Sequence, residues 1–81
     1  MRNEILKYQR IRDLREDRDL PQKALAQLLR VRQTTYSRYE LNDRSMPLEV
    51  MDKLADFYGT SVDYLMGRTD EFKPYPKAIE N

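Results

Sequence analysis

The chain has 81 residues, a formal net charge of +1 and neither cysteine nor histidine, which removes thiol nucleophiles, disulfides, imidazole bases and the ordinary zinc ligands together. A chain of this length makes one domain whose small core takes up nearly every apolar residue at helical spacing, leaving little material for a catalytic pocket. Charge is segregated along it: residues 1–44 hold eleven Lys/Arg against seven Asp/Glu and residues 45–81 hold four against seven, so the halves are +4 and −3, and a local surface can attract phosphate despite the near-neutral sum.

Taken in order, the residues predict helices throughout. Ile11 and Leu14, with Leu6 before them, make the apolar stripe of a first helix over roughly 4–18, ending near Asp19. Pro21 suits the first turn of a second helix, where a missing N–H costs nothing, and Leu25, Ala26 and Leu29 mark its buried face. Val31 lies in the following turn and is expected to plug the core. A third helix runs from about Gln33 to Glu40, with Asn42 as a left-handed cap after it. Pro47 opens a fourth, in which Leu48, Met51, Leu54, Ala55 and Tyr58 recur at core spacing, and Gly59 stops it. Thr60 or Ser61 caps a last short helix that Gly67 closes. The remaining EFKPYPKAIEN has two prolines and no helical period. The domain is therefore expected over residues 1–70, with 71–81 as a tail that is either disordered or dimer-forming.

On a wheel of about 100° per residue, Gln33, Thr34, Ser37 and Arg38 of the third helix fall within an arc of about 140°, opposite Tyr36 and Tyr39. One side packs and the other is free to read. Glutamine matches the donor and acceptor pair of adenine, arginine the two acceptors of guanine, and threonine brings a hydroxyl and a methyl for thymine. A polar helix face alone also describes a solvated surface; the surrounding register decides between the two.

That register, carried by IRDLRED, LPQKALAQLLRV, TTYSRYE and PLEVMDKLADFYGTSVDYLMGRTD, resembles the lambda-repressor-like helix-turn-helix family (Cro-type or xenobiotic-response-element-type) over roughly residues 5–70. The resemblance implies an all-α, compact five-helix DNA-binding domain with the helix-turn-helix at helices two and three. It implies that Arg32, Gln33, Thr34, Ser37 and Arg38 face the major groove. Gln22, Lys23 and the amides at the start of helix two, with Asn42 and Arg44 after helix three, would then touch backbone phosphate. It further implies a buried ion pair between Arg15 and Glu40, of a kind that costs about 3–5 kcal/mol to break from one side.

Departures from the family pattern are visible too. Arg30 stands where the turn usually has glycine, and a left-handed conformation there costs roughly 1 kcal/mol or more. Pro21 and Arg32 replace the usual Ser/Thr caps, so both helices lack a side-chain acceptor for their first amides. Leu41 stands where asparagine often follows the glutamate.

The partner implied is double-stranded DNA, bound by a homodimer on a two-fold operator, because one reading helix covers only part of a site. Val62, Tyr64, Leu65 and Met66, with Phe72, Tyr75 and Ile79, are the candidate dimer groups. The alternative is a protein-interaction module, such as an antitoxin or adaptor, holding an unidentified protein partner through the acidic second half. An enzyme is not expected: Asp52, Asp56 and Asp63 share helix faces, but no nucleophile, phosphate-binding glycine loop or metal cluster accompanies them. No cofactor or metal is implied. No apolar run approaches a membrane span and MRNEILKYQR contains no apolar leader segment, so the expected location is cytoplasmic.

Overall fold

A computed structural model of the chain describes residues 9–76, and over them the protein is helical: α1 (Gln9–Asp17), α2 (Gln22–Leu29), α3 (Gln33–Glu40), α4 (Leu48–Tyr58) and α5 (Val62–Leu65). Residues 4–8 of the expected first helix, with Leu6, and Ile79 of the tail lie outside the described residues. Among the described residues no helix is long and apolar enough to cross a membrane.

One core joins all five helices. Ile11 from α1, Leu25, Ala26 and Leu29 from α2, Tyr36 and Tyr39 from α3, Met51, Leu54, Ala55 and Tyr58 from α4 and Leu65 from α5 are buried together, with Leu14, Val31 and Val62 packed partly exposed against them. α3 depends on this packing. Its sequence, QTTYSRYE, contains two β-branched threonines and two tyrosines, none a strong helix former, so an isolated eight-residue segment of this kind would not hold. The two tyrosines insert as an edge-to-face pair, ring centroids 6.5 Å apart.

Every helix ends by the same device. After each one a residue turns left-handed, and the next amide reaches back to the carbonyl five positions earlier: Leu20 to Arg15, Val31 to Ala26, Asp43 to Arg38, Thr60 to Ala55 and Arg68 to Asp63, all at 2.8–3.0 Å. The left-handed residues are Asp19, Arg30, Asn42, Gly59 and Gly67. Glycine has no Cβ to clash, and short Asn or Asp side chains tolerate the region, so four of these positions suit their residue type. Arg30, at φ 60° and ψ 43°, is the one that does not.

Two sequence expectations are corrected. Leu48 is not a core residue but 71% exposed, and Met46 in the preceding loop is buried instead. The reason is helical geometry: Leu48 is the first residue of α4, and its Cα–Cβ bond tilts toward the N-terminus, off the end of the packed stretch. Pro21 and Pro47 each stand one residue ahead of the helix, as extended N-caps, not within its first turn. Of the two hydroxyls offered for α5, Ser61 accepts from the Tyr64 amide at 3.0 Å, while Thr60 donates to the Phe72 carbonyl.

Residues 69–76 run back across α1 and α5. The Arg10 guanidinium donates to the carbonyls of Tyr64 (2.9 Å) and Thr69 (2.6 Å) and to Asp70 (2.7 Å), and lies 4.1 Å from the centre of the Tyr64 ring. Phe72 packs edge-to-face on Tyr64, and the Tyr75 hydroxyl donates to Asp63 at 2.8 Å.

Candidate nucleic-acid interface

α3 separates two chemistries around its circumference. Tyr36, Tyr39 and Glu40 are buried, while Gln33, Thr34 and Arg38 are exposed and Ser37 is half-buried at the edge of the same face. Arg32, the residue before the helix, is exposed as well. The amide, hydroxyl and guanidinium groups therefore stand clear of the body while the aromatic rings anchor it.

The anchor on the inner side is ionic as well as apolar. Arg15 of α1 grips Glu40 with two donors, Nε at 2.6 Å and Nη2 at 3.1 Å, and gives its remaining Nη1 to the Leu20 carbonyl at 2.8 Å. Gln22, the first residue of α2, donates its amide to the same carboxylate at 3.1 Å. One acidic side chain thus ties α1, α2 and α3. Burial works to raise the Glu40 pKa, but the Arg15 hydrogen bonds, the neighbouring Tyr36 hydroxyl, the Arg15 charge and the Gln22 amide outweigh it and hold the carboxyl below its ordinary range. Arg15 is correspondingly held more firmly protonated by its bond to Glu40. The Tyr36 and Tyr58 hydroxyls are buried beside this pair, without hydrogen-bond partners of normal geometry among the described residues. Burial first, then the nearby Glu40 carboxylate, raises both phenols, Tyr58 to about 12.

Gln22 therefore sits at the junction of α2 and α3 with one amide hydrogen donated to Glu40 and the other without a partner among the described residues. Lys23 beside it is exposed. The first turns of α2 and α3 have no side-chain acceptor at Pro21 or Arg32, so, apart from the Ala24 amide, which donates to the Pro21 carbonyl at 3.0 Å, their first amides and the positive ends of both helix dipoles remain available to an anion. Asn42 and Arg44 are exposed in the loop after α3, and Leu41 is an exposed apolar residue at its end. The residues expected at the interface thus reach the surface, on or beside α3, while Arg15 and Glu40, expected as a buried ion pair, lie inward.

A family model described as Helix-turn-helix matches residues 11–65, well over half of the chain. The chain belongs to the helix-turn-helix family of the lambda-repressor, or Cro/C1, type. Three relatives of this helix-turn-helix chain carry names of the same kind. The uncharacterized HTH-type transcriptional regulator YobD of Bacillus subtilis is 38% identical over 69 residues, covering 85% of this chain and 60% of the relative. The cryptic phage CTXphi transcriptional repressor RstR of Vibrio cholerae is 41% identical over 61 residues, 75% of this chain and 55% of its own length. The HTH-type transcriptional regulator AnsR of Bacillus subtilis is 35% identical over 71 residues, 88% and 61% respectively. The helix-turn-helix chain therefore spans between 55% and 61% of the length of these relatives. No solved structure gives a significant match to it.

Two residues, one that fastens residues 69–76 and one beside this surface, escape a reading of the sequence. Arg10 is one cation among many in a charged helix, and nothing local says that it meets carbonyls 54 and 59 residues away. Arg30 reads only as a strained substitute for glycine; its neighbours in space are Arg32 and the distant Arg44.

Proposed function

We propose that this protein is a sequence-specific double-stranded DNA-binding transcriptional regulator that reads the major groove with α3. The observation that carries this reading is the orientation of α3: Tyr36 and Tyr39 locked inside, Gln33, Thr34, Ser37 and Arg38 outward. An eight-residue helix mounted on its aromatic side presents those groups at a groove-sized ridge, and their donors and acceptors are those that distinguish bases there. Relatives named as transcriptional regulators and as a phage repressor support it.

In this reading Arg32, Gln33, Thr34, Ser37 and Arg38 contact bases, while Gln22, Lys23, Asn42 and Arg44 hold backbone phosphate. Glu40 plays two parts at once. It orients the Gln22 amide at the α2 N-terminus, and because Arg15 neutralises it, the carboxylate sets no net charge against an approaching phosphate. The uncapped amides of α2 and α3 find acceptors when DNA arrives. One α3 reads too few bases for an operator, so the protein acts as a homodimer on two half-sites one helical turn apart.

Selection of bound sequences from a random duplex pool tests this directly. A regulator recovers an inverted repeat, and its affinity for that repeat falls steeply with salt. Recovery of no preferred sequence, with weak and salt-insensitive binding, would instead favour a protein-interaction module built on the same fold.

A further inference from the structure

Beside the reading face of α3 lies a shallow open basin lined by Arg30, Val31, Arg32, Thr35, Tyr39 and Arg44. Its lining includes three arginines from two separate segments, the α2–α3 turn and the loop after α3. Among the described residues none of the three has a carboxylate within 4.0 Å or donates a side-chain hydrogen bond to the protein. Three like charges gathered around one concavity repel one another and attract an anion.

The residue that completes the basin is also the one whose backbone is ill suited to its side chain. Four of the five helix closures use Gly, Asn or Asp in the left-handed position, and the α2 closure alone uses a long side chain there. α2 and α4 close identically, Val31 to Ala26 and Thr60 to Ala55, so the turn after α2 has no need of arginine for its backbone. Position on the wheel supplies the use. Gln22 flanks the outer arc of α3, about 0° to 140° counted from Gln33, at its Glu40 edge at about 340°, whereas the basin lies past its Arg38 edge, where half-buried Thr35 at about 200° is the nearer lining residue and Tyr39 at about 240° is buried behind it. A helix seated in the major groove meets a phosphate wall on each side.

We infer that Arg30, with Arg44 and beside the base-reading Arg32, forms a seat for a DNA backbone phosphate on the wall of the groove opposite the one held at the α2 N-terminus. This rests on the regulator reading above. Arg30 carries no base information in it: it adds affinity for any duplex and fixes how far α3 rolls in the groove.

The test compares wild type, Arg30→Gly and Arg30→Lys by fluorescence anisotropy, on the duplex recovered by selection and on a scrambled one, across a salt series. Arg30→Gly is expected to lose about tenfold in affinity on both duplexes and to flatten the slope of log affinity against log salt by about one. Its thermal midpoint should be unchanged or higher, since glycine adopts the left-handed region freely. Arg30→Lys should recover at least half of the lost log affinity, because a phosphate accepts a point charge. Wild type that binds its duplex while Arg30→Gly matches it in affinity and salt slope would overturn this assignment alone. A changed sequence preference in Arg30→Gly would overturn it as well, by making Arg30 a base contact. Wild type that binds no duplex would overturn the regulator reading and this seat with it.

Discussion

Two arginines of α1 hold the molecule together in different ways. Arg15 faces inward to Glu40, the side chains 13% and 3% exposed, whereas Arg10 faces the chain end and Asp70, which is 97% exposed. Both pairs are close, at 2.6 and 2.7 Å. Distance therefore says little about what each contributes. In the first pair both charges have left most of their water and are held chiefly by each other, Gln22 and a carbonyl, with Glu16 at 3.9 Å from Arg15 as the one further carboxylate, so removing one largely strands the other. In the second the carboxylate keeps its hydration, and what Arg10 supplies is two carbonyl bonds and a ring to lie on. The buried pair fixes α3; Arg10 fastens residues 69–76 through its carbonyl bonds and ring contact.

The comparison can be broken most forcefully from inside. Glu40→Ala should destabilise the domain by about 3 kcal/mol, the lower edge of the range for a buried pair because Arg15 keeps the Leu20 carbonyl. In a domain of this size that lowers the thermal midpoint by more than about ten degrees. Scanning calorimetry that finds a shift of only a degree or two would place this pair with the surface ones.

Acid attacks the same pair. The folded Glu40 carboxyl titrates below its ordinary value of 4.5, so the folded state binds fewer protons than the unfolded one. Its contribution is complete above that value and is lost as the pH falls below it through the depressed folded pKa. Denaturant midpoints should therefore drop on acidification in wild type and drop less in Glu40→Gln. Parallel acid limbs for the two proteins would contradict the assignment.

Arg10→Ala should cost about 2 kcal/mol through its carbonyl bonds and ring contact. Asp70→Asn should cost less than about 1 kcal/mol, and less still at high salt. Equal losses from these two variants would mean that the ion pair, not the carbonyl bonds, fastens the C-terminal segment. Hydrogen exchange read on residues 69–76 in both variants makes the comparison sharper than a global melt.

How much of this was legible in the sequence depended on how far apart the partners lie. Local features read well: the five helices, the left-handed Asn42 and the core faces of α2 and α4 follow from spacing and turn chemistry within a few residues. Leu48 shows where periodicity misleads, because at a helix's first turn the wheel assigns a face but not whether anything lies beneath it. Met46 filled the space from a loop, where no period could point to it. The inward side of α3 was readable because two tyrosines separated by three positions have few other uses in so small a domain. Contacts across the fold were another matter. Nothing in the spacing of Arg15 and Glu40 brings them together, and only resemblance to a family named that pair. The grip of Arg10 on the Tyr64 and Thr69 carbonyls had no such guide. The basin of Arg30, Arg32 and Arg44 exists only once two turns have been folded side by side.

The proposed regulator depends on α3 being an anchored helix whose outer groups choose among DNA sequences. Gln33 is the plainest of those groups, exposed at the first helical position and free of any protein partner among the described residues. Binding of Gln33→Ala, measured against the selected duplex and against single-base variants of it, should fall by about 1–3 kcal/mol on the selected duplex and relax discrimination at one base position, with the thermal midpoint unmoved. An equal loss on every duplex, or no loss at all, would contradict a base-reading α3.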